Sequence, residues 1–495
     1  MNGEPVIVIG AGIAGLAAAA RLAAAGRQVL VLESSPQPGG KLGLLEDSGF
    51  SWDTGPSLFT QPEQFDTLIR DCGREPRAYF SYRSLDIGTR YFWDDGQQFQ
   101  AAPDRAGLLQ AAEAAFGESA RALEGYLSDA ERLYRKIGPL FLDKPLHRLR
   151  DWSLTATLNA LPAVRPAYLL KSLHSYNAAR LKNPRLVQVL DRMATYNGSD
   201  PYRCPAMLSM IAQLEFNEGA WYPDGGMISL PRALRRLCED LGVEFEFGKP
   251  VRRLIRNPKS WSVSGDGFRH HAPAVVSNLD VVRTYRDLLG DAAIGERLLK
   301  QERSCSGLVF YWGMNRAFPQ LDLHNIFFSS DYREEFRSLF KKQRISDDPT
   351  VYINITSKQD PTHAPCNAEN WFVLVNAPTS STNMMEPEEI QRVRDAVLRK
   401  LENAMGQPVG DAIGVAHHLT PAGIERATGS IGGALYGSSS NGRMAAFHRH
   451  PNYSDKYPGL YFAGGTVHPG GGIPLCLRSG KIAAAELLRD SGKHL

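Results

Sequence analysis

Six residues near the start of the chain, Gly10-Ala11-Gly12-Ile13-Ala14-Gly15, leave few folds open. The β-branched run Val6-Ile7-Val8-Ile9 precedes them, and an Ala- and Leu-rich stretch, residues 16–25, comes after. A continuous apolar run of this kind suits a parallel strand buried on both faces, and Ala and Leu favour helix. Gly26 fits the helix stop. Residues 28–32 read as a second strand, with Glu33 at its end, 18 residues after Gly15. In such a strand–turn–helix unit the first glycine permits the turn. The second lets backbone approach a pyrophosphate, and the third lets helix and strand pack closely. The helix N-terminus supplies free N–H groups and partial positive charge to phosphates. A carboxylate at the position of Glu33 accepts from both ribose hydroxyls and disfavours a 2′-phosphate. The opening forty residues therefore read as a dinucleotide site.

The next segment favours FAD over NAD. Pro38-Gly39-Gly40-Lys41 comes directly after the second strand, and Gly49-Phe50-Ser51-Trp52-Asp53-Thr54-Gly55-Pro56-Ser57 further on. A nicotinamide dehydrogenase would continue with a helix and a third strand. These glycine turns suit a long cofactor lying extended across the fold. At the far end stands Gly464-Gly465-Thr466-Val467-His468-Pro469-Gly470-Gly471-Gly472-Ile473-Pro474, after an expected strand at 460–463 and before an expected helix at 475–488. Pro474 suits a first helical turn. That N-terminus would face the flavin pyrimidine, where negative charge collects on reduction.

The pattern resembles the flavin amine oxidase superfamily, whose second signature is a Gly-Gly-basic triplet just after the ribose acid. More closely it is similar to the phytoene-desaturase-type carotenoid desaturases. The C-terminal glycine block, Trp221-Tyr222-Pro223-Asp224-Gly225-Gly226-Met227, Val275-Val276-Ser277-Asn278, and Asp360-Pro361 with Ala364-Pro365 carry that likeness along essentially the whole chain. Within the family, Ser438-Ser439-Ser440-Asn441-Gly442-Arg443-Met444-Ala445-Ala446-Phe447 and the 465–476 wording look most like acyclic hydroxycarotenoid 3,4-desaturases.

The resemblance implies an α/β fold: a Rossmann-like FAD-binding domain, a mixed-sheet substrate domain, and a helical subdomain suited to membrane contact. Residues 1–70, 222–282 and 418–495 are expected to form the first. Residues 71–103 and 283–417 form the second, and 104–221 the third. It implies cofactor contacts from Gly10, Gly12, Ile13, Ala14, Gly15, Glu33, Ser34, Gly39, Gly40, Lys41, Gly55, Pro56, Ser57, Val251, Asn278, Gly464, Gly465, Gly472, Ile473 and Pro474. In the family the residue at Val251 meets adenine through its backbone. Trp221, Tyr222 and His468 are candidates to line a substrate tunnel, hydrogen bonding within its own loop being the rival role for His468. The implied activity is C-3,4 desaturation of a 1-hydroxycarotenoid, with hydride passing to flavin N5 and a proton lost from the neighbouring carbon. Oxygen or a quinone would accept the electrons. No catalytic base is assigned; Glu215 reads equally as a surface or paired acid. Phytoene desaturation, carotenoid isomerisation, terminal-methyl oxidation, amine oxidation and non-enzymatic carotenoid binding remain alternatives.

Composition narrows the rest. Lys and Arg exceed Asp and Glu by only three, which excludes a strongly basic nucleic-acid binder. The six cysteines are scattered, without a Cys-x-x-Cys pair, and read as buried reduced thiols of a cytoplasmic protein. The paired histidines His270-His271, His417-His418 and His448-Arg449-His450 lack partners at ligand spacing, so no metal is expected. The longest apolar run, residues 6–20, is too short to span a membrane, and Glu4 sits where a signal peptide needs basic residues. Surface attachment stays open. Residues 136–175 interleave Leu140, Phe141, Leu146, Leu149, Trp152, Leu154, Leu158 and Leu170 with Lys136, Lys144, Arg148, Arg150, Arg165 and Lys171. That mixture suits either a monotopic membrane element or an ordinary amphipathic helix pair.

Overall fold

The structure is a computed structural model that describes residues 4–148, 159, 161–380 and 385–492. Its organising layer is a five-stranded, all-parallel sheet. The order is Leu460–Phe462, Val275–Ser277, Val6–Ile9, Val29–Leu32, Glu244–Glu246. Strands from three distant stretches thus meet side by side, with Ile7 opposite both Val275 and Leu30. Successive side chains of a strand point to opposite faces, and both faces here are covered. Val6, Val8, Val29, Val31 and Val276 pack with Leu16, Ala17, Leu234 and Ala484 from helices Ile13–Ala24, Ser229–Asp240 and Ile473–Asp490. Ile7, Ile9, Leu30, Leu32 and Val275 pack the other way, against Leu254, Trp261 and Val263 of a three-stranded antiparallel sheet. Double coverage is why these strands carry no polar alternation.

A seven-stranded sheet forms the second layer. Its order is Ile413–Leu419, Ser306–Met314, Glu369–Ala377, Val351–Ile355, His324–Phe327, Thr89–Phe92, Gln98–Ala101, and only His324–Phe327 with Thr89–Phe92 run parallel. One face, with Phe310, Trp312, Ile353 and Val373, is buried against Val393, Val397 and Leu401 of helix Pro387–Met405. The opposite face carries Val309, Tyr311, Tyr352, Phe372 and Leu374 and meets Phe50 and Trp52. Strand Ile413–Leu419 is an edge strand of this sheet, so the chain leaves it after Leu419 rather than before residue 418.

Between residues 105 and 216 the described chain is helical. Asp104 caps helix Arg105–Phe116 by accepting from the Gly107 N–H at 2.8 Å. No described helix is long and apolar enough to cross a membrane. Four cysteines are buried, but Cys366 is exposed and Cys476 half-buried, so the expectation of uniformly buried thiols fails at these two.

Candidate functional site

The glycine loop after the first strand is gripped on both flanks. The Gly10 N–H donates to Leu32 O and the Asn278 N–H to Ile9 O, each at 2.8 Å. A Cβ on Gly15 would lie 2.2 Å from the Gly10 carbonyl oxygen, and one on Gly12 would lie 2.6 Å from Asn278 Oδ1. Gly15 therefore excludes a side chain, and one on Gly12 would displace the Asn278 amide. Glu33 is buried at the strand end and accepts from the Ala11 N–H at 2.6 Å and the Ser35 N–H at 2.8 Å, with Ser34 Oγ at 3.1 Å. The Lys249 N–H donates to Glu33 O at 2.9 Å, which draws the segment leading into Val251 alongside the acid. The second glycine pair lies on the first loop: the Gly39 N–H donates to Ala11 O at 3.0 Å. The Gly55-Pro56-Ser57 turn is pressed against the backbone of Lys41, where a Cβ on Gly55 would meet the Lys41 carbonyl at 1.8 Å.

The C-terminal block closes the same place. Asn278 Nδ2 donates to Ala463 O at 2.7 Å, so one side chain braces the first glycine loop against the last strand. Ser479 Oγ accepts from the Gly464 N–H at 3.0 Å. Helix Ile473–Asp490 begins with Gly472 in an extended, positive-φ conformation (φ 106°) and Pro474 in its first turn, and no side chain caps it. Its free N–H groups and dipole are available to an anion.

Two buried cations hold the walls together. Lys41 Nζ donates to the carbonyls of Leu435 at 2.7 Å and Ala434 at 3.1 Å. Arg449 donates to those of Ser438 at 2.9 Å, Tyr436 at 3.3 Å and Gly465 at 3.4 Å. Among the described residues neither has a carboxylate ion-pair partner. Burial pulls the Lys41 ammonium below its ordinary value and the Arg449 guanidinium down to about 10. Lys41, Tyr436 and Cys476 retain accessible surface at this junction. A buried acid at the end of the second strand, glycine walls, two helix N-termini and positive charge without an ion-pair partner suit an extended dinucleotide with an anionic pyrophosphate. The residues present fit FAD.

The seven-stranded sheet turns Val309, Tyr311, Phe372, Leu374 and Tyr352 toward the Thr54–Ser57 turn: Tyr311 OH donates to Thr54 O at 3.2 Å, and Ser57 Oγ lies 2.8 Å from Tyr352 OH. This face is apolar and aromatic at one end and polar at the other. At the polar end Glu215 is enclosed. It accepts from Tyr196 OH at 2.5 Å, Tyr91 OH at 2.9 Å and Thr89 Oγ1 at 3.0 Å, and it pairs with Arg192 at 3.0 Å. Burial raises its pKa, but Arg192 and the three hydroxyls outweigh that and hold the carboxyl below its ordinary value. Glu215 is a paired, ionised acid.

The tunnel candidates fare differently. His468 has 1 % of its surface accessible; its ring bonds the Lys144 carbonyl through Nε2 at 2.9 Å, and its own carbonyl accepts from Asn452 Nδ2 and Ser479 Oγ. It is a clamp between the glycine loop and the end of the long helix, so the partner is not its own loop and no face is left for a substrate. Tyr222 is equally enclosed, among Leu85, Ala220 and Leu323. Trp221 is half-buried, edge-on to Tyr82 at 5.4 Å. Sequence reasoning missed Arg449, Tyr352 and His324, because nothing local marks them; only the order of strands brings them together. Leu149, Arg150, Trp152, Leu154 and Leu158 of the basic–apolar stretch lie outside the described residues.

Residues 13–293 match the family of flavin containing amine oxidoreductases. The chain is 44% identical over 482 residues to a 1-hydroxycarotenoid 3,4-desaturase of a Flavobacterium species, covering 97% of this chain and 98% of the relative. It is 31% identical to a carotenoid 3,4-desaturase of Haloarcula japonica, covering 99% of each. It is 30% identical to a 4,4'-diapolycopene oxygenase of a Methylomonas species, again covering 99% of each. Among solved structures, cyclohexylamine oxidase from Brevibacterium oxydans superposes with a TM-score of 0.62 at 15% identity, covering 99% of this chain and all of that one. An oxidoreductase from Methanosarcina mazei superposes with a TM-score of 0.63 at 16% identity, covering 97% and 100%. The chain belongs to the flavin-containing amine oxidoreductase family.

Proposed function

We propose that this protein is an FAD-dependent carotenoid desaturase that introduces the C-3,4 double bond into an acyclic-ended 1-hydroxycarotenoid. One observation supports the reading: strands from both ends of the chain meet around the glycine loops, and the sheet face bonded to the Thr54–Ser57 turn is apolar and aromatic. Gly10, Gly12 and Gly15 would cradle the pyrophosphate, Glu33 and Ser34 the ribose, and Val251 the adenine. Gly40, Lys41, Asn278, Gly464, Gly465, Gly472, Ile473 and Pro474 would surround the flavin. FAD, when bound, accepts a hydride from a C–H beside the polyene. The chain's own residues supply position and dryness: Tyr311, Phe372 and Leu374 exclude water, and Lys41 and Arg449 fix the walls. Positive charge left on the substrate is spread along its conjugated chain, so no strong protein base is required, and Glu215 is committed to Arg192. Oxygen or a quinone reoxidises the enzyme.

We also propose contact with a membrane surface. Leu169, Leu170, Met444 and Phe447 are exposed, and Arg443 Nη2 donates to Leu170 O at 3.3 Å, which joins them into one patch. The functional reading is tested by anaerobic mixing of FAD-loaded protein with a 1-hydroxylated acyclic carotenoid and, separately, with phytoene. The expected result is loss of the oxidised flavin band and a lengthened chromophore with the first and no change with the second. Conversion of phytoene alone would make it a phytoene desaturase. Pigment binding without a spectral change would make it a carrier.

A further inference from the structure

The polar end of the sheet face contains a hydrogen-bond chain whose direction can be deduced. Asn354 Nδ2 donates to Leu323 O at 3.2 Å, which fixes the amide, and the same Nδ2 lies 3.3 Å from His324 Nδ1. Nδ1 is therefore an acceptor. Burial holds the imidazole neutral, its pKa pushed down to about 3, so its one proton sits on Nε2, which has no hydrogen-bond partner in the protein. Tyr352 OH, 2.8 Å from Nδ1, must then donate to it. With its proton committed, the phenol oxygen accepts from Ser57 Oγ at 2.8 Å. The proton order runs Ser57 to Tyr352 to His324. What remains unused are lone pairs on Ser57 Oγ and Tyr352 OH. Both residues keep accessible surface, and Tyr352 stands beside Phe372 and Leu374 of the apolar sheet face.

We propose that Tyr352 and Ser57, polarised by His324 and Asn354, form a hydroxyl-recognition subsite that accepts a hydrogen bond from the alcohol of the substrate's end group and so selects hydroxylated over plain carotenoids. The proposal rests on the desaturase reading for its substrate class, but its logic is one of binding. An acceptor-only end of the pocket takes an O–H donor and gives nothing to an ether. Tyr352 and Ser57 act as specificity determinants; His324 and Asn354 are positioning residues.

The test is a binding titration on FAD-loaded protein, read by fluorescence quenching. Three probes are used: a 1-hydroxylated acyclic carotenoid, its 1-methoxy ether, and the parent hydrocarbon. The wild type should bind the alcohol about five- to tenfold more tightly than either of the others, the range of one neutral hydrogen bond. Tyr352→Phe should bring all three to the same Kd. Ser57→Ala provides the second variant if Tyr352→Phe loses FAD or melts early, and it should shrink the preference in the same direction. A wild type that does not discriminate alcohol from ether overturns the proposal, as does a variant that weakens all three probes equally. If discrimination appears and is lost in the variants while no carotenoid is oxidised, the subsite stands and the desaturase reading falls.

Discussion

The ammonium of Lys41 donates at 2.7 Å to the carbonyl oxygen of Leu435, 394 residues further along the chain. This bond ties two segments far apart in sequence, so the second glycine turn and the segment before the C-terminal glycine block are set by one side chain. Arg449 repeats the device on Tyr436, Ser438 and Gly465. Buried cations without a carboxylate partner are costly unless they are well hydrogen bonded. Here the carbonyls provide that, and an anionic ligand would complete it.

Lys41→Met tests the clamp. Two buried carbonyls would lose their donor, and an unsatisfied buried group costs about 1–3 kcal/mol. The expected outcome is an unfolding free energy, from urea titration, lowered by that amount and a purified protein with much less flavin per chain. A variant with unchanged midpoint and full flavin content would refute the role given to Lys41.

The glycines separate two kinds of constraint. Gly15→Ala places a Cβ 2.2 Å from the Gly10 carbonyl, a backbone atom that cannot swing away. FAD binding should be lost and the fold severely weakened. Gly26→Ala meets nothing within 4 Å but sits at φ 77°, so only backbone strain applies, about 1–2 kcal/mol. Thermal melts and flavin absorbance of the two variants should differ accordingly, Gly26→Ala keeping its flavin.

Much of the cofactor half was legible because its signals are local. Strand, glycine turn, helix and Glu33 lie within thirty residues, and each residue type is required by the backbone it occupies. The clamps and the polar end of the sheet were not. Glu215 gives no sign in sequence that it meets Arg192, Tyr196, Tyr91 and Thr89, because three of these partners reach it across strand and helix order. His468 was noticed for its place in the glycine block, but the carbonyl it bonds, Lys144, is 324 residues away. Side-chain roles that depend on strand order remain hidden until the sheets are assembled.

Buried histidines make stability depend on pH: His324, pushed down to about 3, and two others. Burial pushes both His450 and His468 down to about 4, whereas an unfolded histidine titrates near 6.5. Between these values the unfolded chain binds protons that the folded one does not. Stability from these groups is complete above about 6.5, falls as pH drops toward about 4, and is level below that. A double variant, His450→Gln with His468→Gln, should be less stable than wild type at neutral pH. Its urea midpoint should fall less steeply than that of the wild type between pH about 6.5 and about 4, with His324 still contributing. Parallel profiles would mean that other groups set the acid limb.

The exposed apolar patch is a test of membrane docking that leaves the flavin site alone. Leu170 is 62 % exposed, Met444 53 % and Phe447 41 %; Phe447 stacks edge-on to Phe141 at 5.2 Å, and Arg443 and Lys171 flank the group. Exposed side chains of this size, inserted in a lipid interface, would each contribute about 1 kcal/mol or more, and basic neighbours favour anionic headgroups. Replacing Leu170, Met444 and Phe447 by Ser together should weaken binding to anionic liposomes about a hundredfold, with flavin content and melting temperature unchanged. The backbone under the patch is held from elsewhere: Arg443 reaches the Leu170 carbonyl, and the His147 ring bonds the Phe447 carbonyl through Nε2 at 3.2 Å. Its geometry therefore does not depend on the apolar side chains themselves. Loss of liposome binding in the triple variant would report lost insertion rather than a collapsed surface. Undiminished binding would return the patch to the status of ordinary exposed hydrophobics.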